Sequence, residues 1–263
     1  MPLNWIDVSP VPFNALLLLE AVQLSWLPGW LPEAELGLAL RANPAVEWYL
    51  RHKCPAIAQW VEQVTAAAPA ALPDAAAVRR AELAVLSQIE DLLVYALDPA
   101  VYDAQPFLNW DSGELTGLVD FSGKTVVDIG TGTGRLALVA AATAATVFAV
   151  EPVANLRAYL KEKARRLGLN NVYPVDGLIT DLPFPAGFAD MVMGGHVFGG
   201  NPQAELAEVE RITRAGGWIL FVPGSGASED AAHQVLAARG YAWAWFEEPR
   251  DGRKRKYWKQ KEK

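Results

Sequence analysis

The chain has 263 residues, a formal net charge of −7 and 52% apolar residues. That apolar share excludes a disordered chain, the acidic balance argues against nucleic acid as a partner gathered by overall charge, and the length allows one large domain or a domain with a substantial extra layer. Cys54 is the single cysteine, so no intrachain disulfide forms, as expected in a reducing cytoplasm.

No Lys or Arg precedes Arg41, so the run Leu16 to Leu19 lacks the positive start of a secretory signal. The run stops at Glu20, is far too short to cross a bilayer, and reads as a buried helix face. Trp5, Trp26, Trp30, Trp48 and Trp60 make up half of the ten tryptophans, and most of them are expected in a core. Pro28-Gly29 and Pro32 cut this stretch into short helices. Pro44 suits a first turn and opens a helix expected to run through Trp60 and Val64. Residues 66–77, rich in Ala and Pro, read as a linker or as one helix end and the next start. From Asp74 to Leu97 a second helix is expected, with Leu83, Leu86, Ile89, Leu93 and Leu97 along one face and Asp98-Pro99 as its stop. Residues 100–120 read as loop. Tyr102, Phe107 and Trp110 there make either an aromatic lid or hydrophobic staples.

From Lys124 strands and helices alternate. Strands are expected at 125–129, 146–150, 172–175, 189–193 and 218–222. Helices are expected at 135–142, 155–167, 202–214 and 229–239, the second closed by Gly168 and the last by Gly240. This order argues for a parallel sheet covered on both faces. Two further strands, 241–247 and 255–260, flank the hairpin turn signal Asp251-Gly252.

The run Asp128-Ile129-Gly130-Thr131-Gly132-Thr133-Gly134 joins the first strand to the helix behind it. Glycines there turn the chain sharply and let the backbone approach a ligand. Glu151 closes the next strand, where a carboxylate can accept both hydroxyls of a ribose. A dinucleotide fingerprint needs G-x-G-x-x-G, whereas here the glycines fall as G-x-G-x-G and Arg135 stands in the third glycine's place, which disfavours a nicotinamide oxidoreductase.

The D-x-G-x-G-x-G run resembles motif I of class I S-adenosylmethionine (SAM)-dependent methyltransferases. Three further passages are similar to the same class, in particular to the branch with quinone-biosynthesis enzymes: Val175-Asp176-Gly177, the stretch from Asp181-Leu182-Pro183-Phe184-Pro185 to Phe188-Ala189-Asp190-Met191-Val192, and Arg211-Ile212-Thr213-Arg214-Ala215-Gly216-Gly217. The resemblance covers about 124–224. It implies a Rossmann-like, mostly parallel seven-stranded sheet with an antiparallel C-terminal hairpin, an α/β fold carrying an N-terminal helical region (1–120) ahead of a SAM-binding domain (121–263). It also implies S-adenosyl-L-methionine as cofactor. Gly130, Thr131, Gly132 and Gly134 would then line its methionine and ribose part, with Gly194 at the end of the fourth strand beside them. Asp128 would hold the loop or meet the cofactor's amino group through water, and Glu151 would take the ribose hydroxyls. Asp176, Gly177 and Leu178 would meet the adenine, although extra residues before Leu182 put Thr180 in reach as well.

Methyl transfer needs a base only where the nucleophile must lose a proton. His196, following Gly194-Gly195 at the end of the fourth strand, is the candidate base, its alternative being a packed histidine bonded to backbone. His52 and His233 fall in helices. No Asn-Pro-Pro-Tyr motif and no metal-ligand spacing of Cys and His occurs. The expected partner is a small-molecule acceptor, chosen by the first ~120 residues and the loop after His196, rather than a metal, a membrane or a nucleic acid. A catalytically silent scaffold of the same fold is the alternative, and an intact loop speaks against it. The residues from Arg250 to Lys263 carry +6 against −13 elsewhere. The hairpin makes part of this basic segment a strand, with lysine and arginine stems covering apolar surface.

Overall fold

The computed structural model describes residues 5–224, 226, 230–250 and 252–262. The chain divides into two compact units, Met1–Tyr102 and Asp103–Lys263. Residues 103–120, read above with the N-terminal region, therefore fall in the second unit.

The first unit is helical. A 3-10 turn, Phe13–Leu18, precedes α1 (Ala21–Ser25), α2 (Glu33–Ala42), α3 (Pro44–Lys53), a second 3-10 turn (Pro55–Ile57), α4 (Ala58–Ala67), α5 (Ala75–Gln88) and α6 (Glu90–Leu97). The helix expected from Pro44 through Val64 is thus two helices. Pro55 lacks the N–H that a continuing helix needs and crowds the preceding turn, so the chain bends at Cys54 and restarts. The helix expected from Asp74 to Leu97 is also two. Asp74 caps the first, accepting the Ala77 N–H at 2.7 Å, but Ile89 leaves helical geometry at φ −116°. Glu90 is thereby buried, and its Oε1 accepts the Trp5 N–H at 2.8 Å.

Leucine fills this unit's core: Leu16, Leu19, Leu24, Leu27, Leu36 and Leu40 are fully buried. The tryptophans expected there are not. Trp26, Trp30 and Trp48 are exposed, and Trp60 donates its indole N–H to Glu33 at 2.8 Å. Short helices crossing at close range accommodate leucine, whereas an indole needs a partner for its N–H when it is enclosed. Buried Gln23 is satisfied at both ends. Its Nε2 donates to the Leu92 carbonyl at 3.1 Å and its Oε1 accepts the Glu20 N–H at 3.0 Å.

Beyond α7 (Pro99–Asp103), the second unit opens with a 3-10 turn (Pro106–Leu108) and α8 (Gly113–Thr116), so the stretch expected as loop holds short helices. Trp110 is buried edge-on against Phe246, with ring centroids 5.7 Å apart, and Arg135 lies over its indole face. Trp110 is a core residue and not part of a lid. Then follow β1 (Thr125–Ile129), α9 (Arg135–Ala141), β2 (Thr146–Val150), α10 (Ala154–Arg166), β3 (Val172–Val175), β4 (Ala189–Gly194), α11 (Pro202–Ile212), β5 (Thr213–Phe221), α12 (Ala231–Ala238), β6 (Ala242–Glu248) and β7 (Gly252–Gln260). Glu229, the expected start of α12, and Asp251 of the hairpin turn lie outside the described residues.

The strands form one seven-stranded sheet in the order β3-β2-β1-β4-β5-β7-β6. β1 to β5 pair in parallel, and β7 runs antiparallel to both β5 and β6. Alternate residues of each strand feed two cores. Val126, Met191 and Met193 join one face, whereas Val127, Ile129 and Val192 join the other. The strand order reverses between β1 and β4, and at such a point ligands lie outside the carboxyl ends of the strands.

The basic C-terminal segment is woven into this sheet. Tyr257 is fully buried beside Gly224, and its hydroxyl lies 3.0 Å from His233 Nδ1. Lys261 Nζ donates to the Glu210 and Thr213 carbonyls, at 2.6 and 2.7 Å, where α11 ends, and Lys259 Nζ donates to the Arg239 carbonyl at 2.7 Å past α12. Lysines at helix C-termini satisfy carbonyls that lack an intrahelical partner. Replacing Tyr257 with alanine is expected to lower the unfolding free energy by roughly 3–5 kcal/mol, as for other large core aromatics, measured by urea denaturation.

Candidate functional site

The loop between β1 and α9 is shaped by three glycines in the left-handed region, Gly130 (φ 61°), Gly132 (φ 54°) and Gly134 (φ 91°). A side chain at any of them would be strained, which is why the run alternates glycine with threonine. A Cβ on Gly134 would also collide with Leu160 of α10, and one on Gly130 would lie 2.7 Å from Val197 Cγ2.

Two buried carboxylates hold the loop. Asp128 Oδ2 accepts the Thr131 hydroxyl at 2.6 Å and the Ala137 N–H at 3.0 Å, so it ties β1 to both the loop and α9. Among the described residues none bonds its buried Oδ1. Glu151, one residue beyond β2, accepts the Gly132 N–H on Oε2 and the Val153 N–H on Oε1, both at 3.0 Å. Burial pushes the Asp128 carboxyl up to about 7; the bonds from Thr131 and Ala137 pull it down, and the neighbouring Glu151 adds to the rise. Burial raises Glu151 as well, against the two backbone N–H bonds.

Beside them, Arg157 Nη1 donates to the Glu151 carbonyl at 2.6 Å and to Asp176 Oδ1 at 3.0 Å, linking the ends of β2 and β3. The Asp176 side chain is 74% exposed. Leu178 is exposed and bridges Asp181 in a tight antiparallel pair, with Thr180 exposed between them. Gly177 sits where a Cβ would lie 2.9 Å from both Pro183 and Val150. Gly194 pairs in register with Ile129, and Val197 Cγ1 lies 2.5 Å from where its Cβ would be. Asp128, the three loop glycines, Thr131, Glu151 and Gly194 thus gather at the carboxyl ends of β1, β2 and β4. Asp176, Gly177 and Leu178 follow the end of β3.

His196 lies two residues past β4 in a left-handed conformation, φ 55°, uncommon for residues other than glycine. Its backbone N–H donates to the Pro223 carbonyl at 2.9 Å. Its ring Nε2 lies 2.7 Å from Glu248 Oε1, and its ring centroid is 6.0 Å from that of Phe107, edge to face. The Glu248 side chain has no exposure, and Lys254 Nζ stands 3.6 Å from its other oxygen. Sequence reasoning missed Glu248 and ended the strand one residue short of it. The available signal was phase: Ala244 and Phe246 point to one face of β6, and Glu248 continues that face. His52 and His233 bond to the Trp48 carbonyl and to Tyr257, respectively, away from this cluster.

Among the described residues no group of three or more His, Cys, Asp or Glu is arranged to hold a metal ion, and no helix is long and apolar enough to cross a membrane. A hollow of about 360 Å³ bordered by Asp120, Lys124, Asp190 and Arg214 lies at the opposite ends of β1 and β4 and includes none of these residues.

Residues 127–221 match the family model of the methyltransferase domain. The matched stretch runs from within β1 to the end of β5, so it takes in the glycine loop, Glu151 and Gly194. An uncharacterised methyltransferase of Geobacillus thermodenitrificans is 28% identical over 128 residues, which span 47% of this chain and 58% of that protein. The chain therefore covers little more than half the length of that curated relative. Among solved structures, a SAM-dependent methyltransferase of Aquifex aeolicus aligns at 17% identity and a TM-score of 0.48, over 62% of this chain and 97% of that one. Phosphoethanolamine N-methyltransferase 1 of Haemonchus contortus, in complex with phosphoethanolamine and S-adenosylhomocysteine, aligns at 17% identity and a TM-score of 0.46, over 62% of this chain and 44% of that one.

The raised carboxyls have a measurable consequence. As pH rises past ~4 the unfolded chain gives up these protons first, while folded Asp128 keeps its proton until about 7. The folded state therefore binds more protons across that window, and its stability falls as pH rises. Asp128→Asn is expected to flatten the fall, read from urea unfolding at a series of pH values between ~4 and ~8.

Proposed function

We propose that this protein transfers a methyl group from S-adenosyl-L-methionine to a small-molecule acceptor, with His196 as the base. The observation that carries the reading is Glu151, a buried carboxylate held at the end of β2 by the Gly132 N–H. Each Glu151 oxygen accepts one backbone N–H, which leaves each a lone pair for one hydroxyl of a ribose diol. The unpartnered Oδ1 of Asp128 suits a hydrogen-bond donor such as a water held by the cofactor's ammonium. The donor set thus fits the cofactor of the domain's family.

When bound, this cofactor supplies a methyl group already activated on a sulfonium, so the protein's share is alignment, an effect of ~7–11 kcal/mol in well-oriented systems. Gly130, Thr131, Gly132, Gly134 and Gly194 would line the methionine and ribose part, with Val197 packed over Gly130 and Gly194. Asp176, Gly177 and Leu178 would border the adenine. Asp176 is already paired with Arg157, so its carboxylate would meet a ring amine only from its remaining oxygen. His196 would hold the proton that the acceptor releases, and Phe107 beside it would offer the acceptor an apolar edge. The intact loop argues against a silent scaffold. Buried, unpaired Cys54 suits the cytoplasm.

Calorimetry tests the reading. SAM is expected to bind, and Glu151→Ala to weaken binding roughly 10- to 100-fold, the loss of hydrogen bonds to a charged group. Heat with NAD and none with SAM would overturn it. Labelled SAM incubated with a metabolite extract would reveal the acceptor by transfer of the label.

A further inference from the structure

The contact between His196 and Glu248 joins the end of β4 to the end of the edge strand β6, fifty-two residues further on. The carboxylate has no exposure, while the imidazole side chain keeps 39%. An ionised carboxylate can only accept hydrogen bonds, and Lys254 Nζ stands 3.6 Å from the other oxygen of Glu248. The 2.7 Å contact therefore calls for a proton on Nε2. In a neutral imidazole the other nitrogen, Nδ1, must then carry the lone pair, and no described residue hydrogen-bonds Nδ1. The left-handed backbone of His196 is held by its own N–H on the Pro223 carbonyl, so the ring is fixed both at its root and at its tip.

We propose that Glu248 is a positioning residue which keeps His196 in the Nε2–H tautomer, so that Nδ1 is the atom that receives a proton from the acceptor. The inference rests on the methyl-transfer reading and narrows it: the acceptor is a protic nucleophile, with a hydroxyl or an N–H at the attacked atom. As that atom bonds to the methyl carbon, the carbon–sulfur bond would break with its electron pair left on sulfur, while the atom's proton bonds to the Nδ1 lone pair and the electron pair of its former bond to hydrogen stays on the atom and cancels the charge it would acquire. The imidazole becomes an imidazolium facing the Glu248 carboxylate, and the proton leaves later through the ring's exposed side. This arrangement follows the general logic of an acid–base histidine oriented by a carboxylate.

Nitrogen-15 NMR of the histidine side chains, on the full chain without cofactor, reads the tautomer directly, with His196→Asn used to assign the signal. Wild-type His196 is expected to show the Nε2–H form, and Glu248→Gln a mixture of the two tautomers. Dominance of the Nδ1–H form in the wild type would overturn the positioning role whatever the activity. As a second readout, labelled SAM is given with a fixed metabolite extract. Glu248→Gln is expected to slow incorporation roughly a hundredfold, with partial recovery in Glu248→Asp and unchanged affinity for SAM. Unchanged incorporation would also overturn the role. A wild type that shows the Nε2–H form yet binds no SAM would instead defeat the methyl-transfer reading and leave the Glu248–His196 arrangement standing.

Discussion

Two carboxylates buried side by side, Asp128 and Glu151, hold one loop by its own polar hydrogens. A carboxylate loses hydration when it is enclosed, and among the described residues no basic side chain is hydrogen-bonded to either oxygen pair. The compensation comes from the Thr131 hydroxyl and from the backbone N–H groups of Gly132, Ala137 and Val153. Those groups converge only if the backbone turns through left-handed conformations at Gly130, Gly132 and Gly134. Glycine spacing and acid spacing are thus one constraint, because the glycines permit the turn that lets the acids be satisfied. Burial pushes the Asp128 carboxyl up to about 7 against the pull of these hydrogen bonds. Among the described residues, none bonds its Oδ1.

The C-terminal hairpin closes the other side of the sheet. Its basic residues, which by composition look like a solvated tail, serve as internal donors. Lys261 and Lys259 reach helix-end carbonyls, and Lys256 pairs with Glu114. Tyr257 fills the space left by Gly224. Once β7 is anchored between β5 and β6, the end of β6 stands beside the end of β4. That adjacency brings Glu248 to His196, and neither residue has a sequence neighbour that announces the pair.

The helical unit shows how local chemistry redirects a periodic pattern. Pro44 predicts one long helix and the spacing of Leu83, Leu86, Ile89, Leu93 and Leu97 another, but Pro55 ends the first and the turn at Ile89 ends the second. Each break changes which side chains point inward. Leu18 is exposed beside buried Leu16 and Leu19 because a 3-10 turn, not an α-helix, carries that run. Most of the five tryptophans are expected in a core, yet the interior is built from leucine, and Trp26, Trp30 and Trp48 remain at the surface.

Strand positions, the parallel sheet with its terminal hairpin, and the loop with its two acids were legible in the sequence, since each depends on neighbouring residues: apolar runs of strand length, glycines where φ is positive, an acid at a strand end. Tertiary structure alone decided the features that depend on residues far apart in the chain. It decided that Val197 packs over Gly130 and Gly194, that Arg157 occupies one side of Asp176, that Trp110 is buried against Phe246, and that Glu248 meets His196. Period and spacing report which face of an element a residue lies on. Which distant face it then meets follows from strand order and from the closure of the hairpin.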